Sequence, residues 1–394
     1  MSDDPGTVVV TTGHTACLPC LRSLGSRGIR TVVAGDDART PEFASRFCDE
    51  RVVTPPHDGD LLAYRDALLG LAARPDVRTL VPTREEDAYL LARYPDLFDR
   101  YIDTVSPPSA VLGRVHDRLR LARAAERAGV PVPETRPLGE VDDWSEPLVV
   151  KSRYNLLADA YLPDLDERSA SQVKSVLHLE PDTPPDLDGL CRTYGHEPVA
   201  QEFVPTTEEY MVAALYDHGE PLATYQHRQL RGNTYLGGGG VYRRSAYVPQ
   251  LDSVARRLLD ELDYHGLACI EYMRRPETGE FLLTEINPRM WQSLPSTVRA
   301  GADFPYYYWL AATGRASEVE CDYDIGVSSH LLKGELSHLL SVRRERSAYM
   351  ARPSFLRRAA EIGVSCVRDP HFDYLRADDP GPFVRTVANY LRRS

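Results

Sequence analysis

The runs of sequence that decide the fold are Ala268-Cys269-Ile270-Glu271-Tyr272-Met273 and Phe281-Leu282-Leu283-Thr284-Glu285-Ile286-Asn287. Both have the apolar composition of β-strands, and each contains a single glutamate. The segment between them includes Pro276 and Gly279, residues that favour turns. This pattern predicts a β-hairpin.

The register of this hairpin decides what its acids do. If Glu271 lies opposite Glu285, then Met273 pairs with Leu283, Arg275 pairs with Phe281, and residues 276–280 form the loop. Side chains two apart on a strand point the same way, so Glu271, Glu285 and Asn287 would share one face.

Two facing carboxylates need compensation, because they repel each other and lose hydration in apolar surroundings. Mg²⁺ would supply it, since this ion prefers carboxylate and amide oxygens and shares its remaining positions with phosphates. The alternative is an exposed hairpin whose acids face water. The apolar runs around Glu271 and Glu285 favour a metal site.

The N-terminal part reads as an α/β unit with a parallel sheet, because predicted strands and helices alternate. A strand over residues 7–12, a helix over 18–26 closed by Gly28, and strands over 30–34 and 79–82 carry this prediction. The first turn begins at Gly13-His14 and lacks the G-x-G-x-x-G pattern, so a dinucleotide site is disfavoured. Cys17 and Cys20 form a lone C-x-x-C, which favours two small buried residues over zinc or redox use.

The rest of the chain offers coarser signals. A helix over residues 110–128 ends at Gly129, a strand over 147–152 carries Lys151, and the acidic, proline-rich stretch 159–198 gives no clear element. Strands are predicted over 199–204, 210–216 and 222–229, and a helix over 252–264 with Asp252 as its N-cap.

Charge and hydropathy narrow the class of protein. The net charge is −12, which disfavours nucleic acid and anionic membranes as partners. Lysine occurs only at Lys151, Lys174 and Lys333, a bias that fits either a high-salt cytoplasm or a GC-rich genome. No apolar run has the length of a membrane span, and the acidic segment 1–5 does not resemble a signal peptide, so we expect a cytoplasmic protein.

The hairpin residues also carry a family resemblance. Glu285-Ile286-Asn287-Pro288-Arg289, preceded by Gly266-Leu267-Ala268-Cys269-Ile270-Glu271, resembles the metal-binding signature of the ATP-grasp superfamily. Further elements resemble its predicted carboxylate–amine ligases: His227-Arg228-Gln229-Leu230-Arg231, the four glycines at 237–240, Trp291-Gln292-Ser293-Leu294 and Ala300-Gly301-Ala302-Asp303-Phe304-Pro305. The likeness runs from about residue 7 to 314 and is strongest after 198.

The resemblance implies a fold of mixed α/β and α+β class. It consists of a Rossmann-like pre-ATP-grasp domain (1–110), a linker helix with a small lid (111–198), and a nucleotide and metal domain containing the β-hairpin (199–315). A partly helical C-terminal extension (316–394) follows.

The resemblance also implies a site for ATP and Mg²⁺, with Mn²⁺ as an alternative ion. Glu271, Glu285 and Asn287 would hold the metal. Lys151 matches the lysine that contacts the α- and β-phosphates. The nucleotide contacts would come from the adenine-reading hinge Gln201-Glu202-Phe203-Val204, through the carbonyl of Glu202 and the N–H of Val204, and from Glu209 at the ribose, with Glu208 as the alternative.

Two arginines, Arg228 and Arg289, would act on the transferred phosphate as catalytic residues. The glycine-rich stretch 231–244, with arginines at its ends, would either close over substrate or form a plain flexible hairpin. This sequence departs from the family pattern at two places. Arg118 stands where many relatives have lysine, and the glycine-rich loop expected after Lys151 is replaced by Ser152-Arg153-Tyr154-Asn155.

The implied function is an ADP-forming carboxylate–amine ligase. Its substrates would be a small carboxylate, activated as an acyl phosphate, and an amine. The sequence does not determine the oligomeric state; a homodimer is one option, because many members of the family are dimers. A phosphotransferase on the same scaffold and a catalytically degenerate nucleotide-binding protein are the alternatives.

Overall fold

The structure, a computed structural model, describes residues 6–13, 15–206, 208–347 and 350–393. The acidic segment 1–5 and His14, both used in the sequence predictions, lie outside the described residues.

The strands are β1 Thr7–Thr11, β2 Arg30–Gly35, β3 Glu50–Val53, β4 Val77–Val81, β5 Thr135–Pro137, β6 Leu148–Lys151, β7 Val176–Leu179, β8 Val199–Glu202, β9 Glu209–Asp217, β10 Glu220–Thr234, β11 Gly237–Ala246, β12 Gly266–Arg274, β13 Phe281–Asn287 and β14 Ser328–His330. The helices are α1 Cys17–Ser26, α2 Leu61–Ala72, α3 Glu85–Arg93, α4 Pro95–Phe98, α5 Ser109–His116, α6 Arg118–Arg127, α7 Leu187–Tyr194, α8 Pro249–Glu261, α9 Leu294–Arg299, α10 Phe304–Ala312, α11 Leu332–Arg344, α12 Phe355–Arg368 and α13 Gly381–Arg393.

The N-terminal sheet is parallel, as the alternating pattern predicts, with strand order β3-β2-β1-β4. Its central strand β1 is buried throughout, because helices cover both faces. Helices α1 and α10 pack on one face, and α2 and α3 pack on the other. Cys17 and Cys20 are fully buried on α1, in accord with the favoured structural role.

A small antiparallel sheet forms the lid, with strand order β5-β8-β6-β7. Helix α7 packs on it through Tyr194. It begins at the cap Asp186, whose carboxylate accepts from the N–H of Gly189, and ends at Gly195 in a left-handed conformation. Strand β8 belongs to this sheet, although the sequence assigned residues from 199 onward to the next domain.

The third sheet is antiparallel, with strand order β13-β12-β9-β10-β11-β14. One face packs on α6 and α8, and the other shares a core with α1 of the N-terminal domain and with α10, which also packs on the N-terminal sheet. This shared core fixes the two domains together. Strand β14 comes from the segment predicted as a C-terminal extension, so that segment is part of the sheet.

Two predicted helices differ in the structure. The helix predicted over residues 110–128 is two helices, because Asp117 has extended backbone and caps α6 by accepting from the N–H groups of Leu119 and Arg120. The helix predicted to start at Asp252 starts at Pro249, where a proline fits the first helical position. Asp252 instead pairs with Arg256 one turn later.

None of the helices among the described residues is both long and apolar enough to cross a membrane.

Candidate functional site

The two glutamates of the hairpin face each other as the sequence predicts. Strands β12 and β13 pair Glu271 with Glu285 and Cys269 with Asn287. The Asn287 amide donates to the Glu285 carboxylate at 3.1 Å, so these two side chains lie on one face. Glu271 is exposed to the cleft below the lid.

The predicted register fails beyond this pair. A β-bulge follows, so Tyr272 pairs with Leu283, Met273 with Leu282, and Arg274 with Phe281. The predicted Met273–Leu283 and Arg275–Phe281 pairs are therefore wrong by one residue, because β13 carries an extra residue, Thr284, next to the acids. Bulges of this kind re-aim side chains beside functional sites.

Arg118 is the cation that lies against the paired acids. Its guanidinium donates to the Glu285 carboxylate at 2.9 Å and to the carbonyls of Ser152 and Thr284. Loss of hydration opposes ionisation of Glu285, but Arg118 outweighs it and lowers the pKa of this carboxyl. Although Glu271 is exposed to the cleft, partial loss of hydration and then the charge of Glu285 raise its pKa, against the opposing charges of Arg289 and Arg118. The pair thus carries one carboxyl group with a lowered pKa and one with a raised pKa.

Lys151 faces this pair from the lid. Its ammonium donates to the side-chain oxygen of Gln201 at 2.8 Å, and Gln201 is itself held by Thr135. Burial, and then the charge of Arg118, lower the pKa of Lys151 to about 8, while Glu285, Glu271 and Glu209 oppose the shift. Lys151 therefore lies within electrostatic reach of all three carboxylates across the cleft.

Glu209, and not its neighbour Glu208, points into the cleft. Glu209 shares its sheet face with Met211 and Glu271. Burial raises the pKa of Glu209 to about 7, even though the backbone N–H of Gly238 and the amide of Gln229 donate to it. Glu208 instead pairs with Arg228 and Arg274 on the other side of the strand.

The predicted adenine hinge joins the lid to the third sheet. The Glu202 carboxylate forms a two-pronged ion pair with Arg275, at 2.5 and 3.0 Å, which turns this side chain away from the lid lysine. Among the described residues, the backbone N–H of Val204 has no hydrogen-bond partner. A donor without a partner in a half-buried hinge is available to a ligand.

Arg289 is held by an acid that the sequence analysis missed. Its guanidinium forms an ion pair with Glu85 at 2.7 Å and donates to Asn287 at 3.2 Å. Glu85 starts helix α3, is 2% exposed, and also lies 3.2 Å from His116. Burial opposes its ionisation, yet Arg289 and then His116 lower the pKa of Glu85 to about 2. The parallel sheet thus fixes the arginine next to the hairpin.

Arg228 does not lie with the charged residues that face the cleft. It pairs with Tyr210 across β9 and β10, and Tyr210 packs in the core on the opposite face of the sheet from Glu209. Its guanidinium is exposed and pairs with Glu208 at 3.0 Å. Because side chains alternate along a strand, Arg228 lies on the opposite face of the sheet from Glu209. This position disagrees with the prediction that Arg228 lies beside the transferred phosphate.

The glycine-rich stretch forms the β10–β11 hairpin. Arg231 pairs with Glu335 at 2.7 Å, Arg243 pairs with Asp373 at 2.7 Å, and both pairs are buried. These arginines hold the C-terminal segment against the sheet, so they are not available to close over a substrate. At the tip, a side chain on Gly237 would lie 3.1 Å from the Glu209 carboxylate, so the glycine permits close approach.

The segment that replaces the expected glycine loop is tied down. Arg153 binds the Asp117 carboxylate at 2.7 Å, and Arg118 and Asn155 make backbone hydrogen bonds to Arg153 and His116. The Asn155 amide donates to the Ile286 carbonyl at 3.4 Å. Arg153 is consequently occupied by a structural ion pair, whereas Asn155 reaches the acidic hairpin.

A cavity of about 360 Å³ lies at the carboxyl ends of β1 and β2, beside this site. Its lining includes Asp36, Glu42, Arg84, Glu86 and Lys174. Arg84 and Glu86 flank the glutamate that holds Arg289, so the cavity adjoins the hairpin site. The sequence analysis assigned none of these residues to a site, because they are separated along the chain.

Known proteins resemble this chain mainly in structure. No family model matches the sequence. A stretch of 50 residues is 42% identical to acetyl-CoA carboxylase 2 of Oryza sativa subsp. japonica; it covers 13% of this chain and only 2% of that protein.

Three similar solved structures illustrate the likeness. The biotin carboxylase domain dimer of 2-oxoglutarate carboxylase from Hydrogenobacter thermophilus, solved with MgADP, ADP and bicarbonate, has a TM-score of 0.62 at 15% identity, over 82% of this chain and 73% of that chain. N5-carboxyaminoimidazole synthetase from Staphylococcus aureus, solved with ADP, has a TM-score of 0.58 at 14% identity, over 82% and 80%. L-amino acid ligase from Bacillus licheniformis has a TM-score of 0.58 at 13% identity, over 83% and 79%.

These likenesses, together with the parallel sheet, the lid and the acidic hairpin, show that the chain has the ATP-grasp fold predicted from its sequence.

Proposed function

We propose that this chain is an ATP-dependent carboxylate–amine ligase. The observation that carries the proposal is the facing pair Glu271 and Glu285, with Lys151 opposite it on the lid. Similar structures that bind ADP, MgADP or bicarbonate, and one named as an amino acid ligase, support the same class of reaction.

The donor set fits Mg²⁺. Two carboxylates and the Asn287 side-chain amide lie on one face, where the amide nitrogen donates to Glu285 and the amide oxygen accepts from Arg289. Loss of hydration and the charge of Glu285 raise the pKa of Glu271, a shift that a cation would oppose. When bound, the ion would neutralise phosphate charge. Glu271, Glu285 and Asn287 would hold it, and Arg118 would keep Glu285 ionised and oriented.

The remaining residues would position ATP. Lys151, oriented by Gln201, supplies a positive charge to the α- and β-phosphates, and Arg289, fixed by Glu85, supplies one to the transferred phosphate. The Val204 N–H and the Glu202 carbonyl would read adenine, and Glu209 would accept from the ribose. Arg228 has no role in this arrangement.

The reaction would join two substrates in the cavity lined by Arg84 and Glu86, the chain neighbours of Glu85. A carboxylate oxygen attacks the γ-phosphorus, and the bond to the β-phosphate oxygen breaks to release ADP. The amine then attacks the acyl carbon, loses a proton, and phosphate leaves. Lys174 is exposed at the cavity and suits a carboxylate, whereas the buried Glu42 and Glu86 suit an amine.

The first test is calorimetric titration of Mg·ATP into the full chain in high-potassium buffer. We expect Glu285→Ala to weaken binding at least about tenfold, the effect of losing roughly 1.4 kcal/mol. Glu280→Gln removes an exposed acid from the far end of the same hairpin and should change the affinity less than twofold, as should Arg228→Gln. Intact, folded protein that does not bind Mg·ATP would refute the proposal.

The second test separates a ligase from its alternatives. Carboxylates are screened with ATP and hydroxylamine, an amine that converts an acyl phosphate into a hydroxamate. Hydroxamate formed together with ADP supports the ligase. ADP formed without hydroxamate, on an alcohol substrate, indicates a phosphotransferase, and Mg·ATP binding without turnover of any substrate indicates a degenerate binding protein.

A further inference from the structure

A second cavity of about 360 Å³ lies away from the residues of the proposed ATP site. Its walls are α1, the helix α9 with the loop after it, and a short stretch of the C-terminal segment at residues 372–376. We call it the arginine cavity, because Arg22, Arg27, Arg299 and Arg376 all line it.

The lining of this cavity is positively charged, whereas the chain as a whole is negatively charged. Four guanidinium groups line it and only two carboxylates do, Asp303 and Asp373, whereas the chain as a whole has a net charge of −12. A concentration of positive charge in an acidic protein must be neutralised by other protein groups or by a ligand.

Protein groups already occupy both carboxylates. Asp373 accepts from the fully buried Arg243 at 2.7 Å and from Ser329 at 3.0 Å. Asp303 pairs with Arg27 at 2.8 Å, and its other oxygen accepts from Ser23. Neither acid is free to neutralise another guanidinium.

The other arginines differ in how well they are satisfied. Arg22 is 5% exposed and is bound by Asp379 at 2.9 Å and by backbone carbonyls, so its role is structural. Arg376 pairs with Asp378 at 2.6 Å, but both groups are more than 40% exposed, where an ion pair is weak. Arg299 makes no hydrogen bond or ion pair with any described residue.

Arg299 is also held near a like charge. Arg299 is exposed at the edge of the cavity, and its partial burial, together with the charge of Arg376, lowers the pKa of its guanidinium, while Asp373 opposes the shift. Water screens most of the repulsion between the two guanidinium groups, but an anion between them would be attracted by both.

We propose that the arginine cavity binds a small anion that carries phosphate or carboxylate groups, with Arg299 and Arg376 as its principal contacts. The volume lies at the lower end of the range for small-molecule sites, about 300–1,000 Å³, and is too small for a macromolecule. Guanidinium groups recognise both anions through paired N–H donors. The inference does not depend on the proposed ligase activity.

The site can be tested on the full chain by calorimetric titration with two probes, inorganic phosphate and citrate, at constant potassium chloride. We expect saturable binding of at least one probe, and the probe that binds more tightly identifies the preferred anion. Arg299→Gln should weaken that binding at least tenfold. Arg315→Gln, which removes an arginine paired with Glu318 on the same domain, should leave it unchanged.

Phosphate would also be a product of the proposed reaction, so the phosphate probe could bind at the ATP site instead of at the arginine cavity. A variant at the ATP site distinguishes the two. Lys151→Gln, which removes one of the two cations that the proposed function places at the phosphates, should leave the affinity of the probe unchanged. Without anions, Arg299→Gln should be as stable as the intact protein or more stable, since it removes a repulsion. No saturable binding, unchanged binding in Arg299→Gln, lost binding in Lys151→Gln, or a destabilised anion-free Arg299→Gln would each overturn the proposal.

Discussion

The ion pair between Glu85 and Arg289 gives a prediction whose size follows from the structure. Glu85 is almost fully buried, and Arg289, at 11% exposure, is its strongest cation, with His116 as the second partner. The pKa of Glu85 falls from 4.5 to about 2. Since one pKa unit corresponds to about 1.4 kcal/mol, the ionised carboxylate is favoured by about 3 kcal/mol in the folded state.

We expect Glu85→Gln to lower the free energy of unfolding by about 3 kcal/mol at pH 7, because it leaves a buried guanidinium without its counterion. The lost contribution is present above the unfolded pKa near 4.5 and disappears as the pH falls through about 2. The difference between intact protein and variant should therefore shrink on acidification from about pH 4.5.

Urea unfolding at pH 7 and pH 4 measures this difference, and Glu86→Gln is the matched control. Glu86 is the next residue on the same helix and is 3% exposed, but it accepts from the neutral amide of Gln172 rather than from a cation. Equal losses in the two variants would refute the reasoning. Because Glu85 positions Arg289, Glu85→Gln should also weaken Mg·ATP binding severalfold, whereas Glu86→Gln should not.

Two further predictions concern other buried charges. Burial, and then Arg243, lower the pKa of His227 to about 3, so below pH 6.5 the unfolded chain binds a proton that the folded protein does not, and stability should fall by about 1.4 kcal/mol per pH unit. His227→Gln should remove that slope from stability measured by urea between pH 6.5 and 5, and an unchanged slope would contradict it. Asp373→Asn leaves the fully buried Arg243 unpaired and should cost about 3–5 kcal/mol. Glu361→Gln, which breaks an exposed pair with Arg357, should cost less than about 1 kcal/mol; equal costs would show that the buried pair is not needed.

Local pattern was sufficient for the acidic hairpin. Strand composition and the turn residues predicted its strands. The register that places Glu271 opposite Glu285 was an assumption, of which that pair is confirmed and the other two pairs are wrong. The bulge at Thr284 was not predictable, because an extra residue in a strand leaves no mark on composition. Only the pairing with the neighbouring strand shows it.

The errors come from partners that are distant along the chain. Glu85 was not singled out in the sequence, because acids at a helix start are favoured by the helix dipole alone and the partner that marks its role, Arg289, is distant along the chain. Arg228 was placed by resemblance, but strand alternation against β9 puts it on the other face. Arg231 and Arg243 looked available until the C-terminal segment supplied Glu335 and Asp373.

The directions in which carboxyl pKa values move separate charges that hold the fold together from charges left for a ligand. Glu85 has its pKa lowered because Arg289 and His116 meet it inside the protein, so its ionised form already stabilises the fold. Glu271 and Glu209 have theirs raised, and the pKa of Lys151 is lowered, because burial disfavours each charge and the neighbouring charges do not outweigh it. Such groups cost stability in the folded protein, whereas a cation beside Glu271 and phosphates beside Lys151 would favour their charged forms.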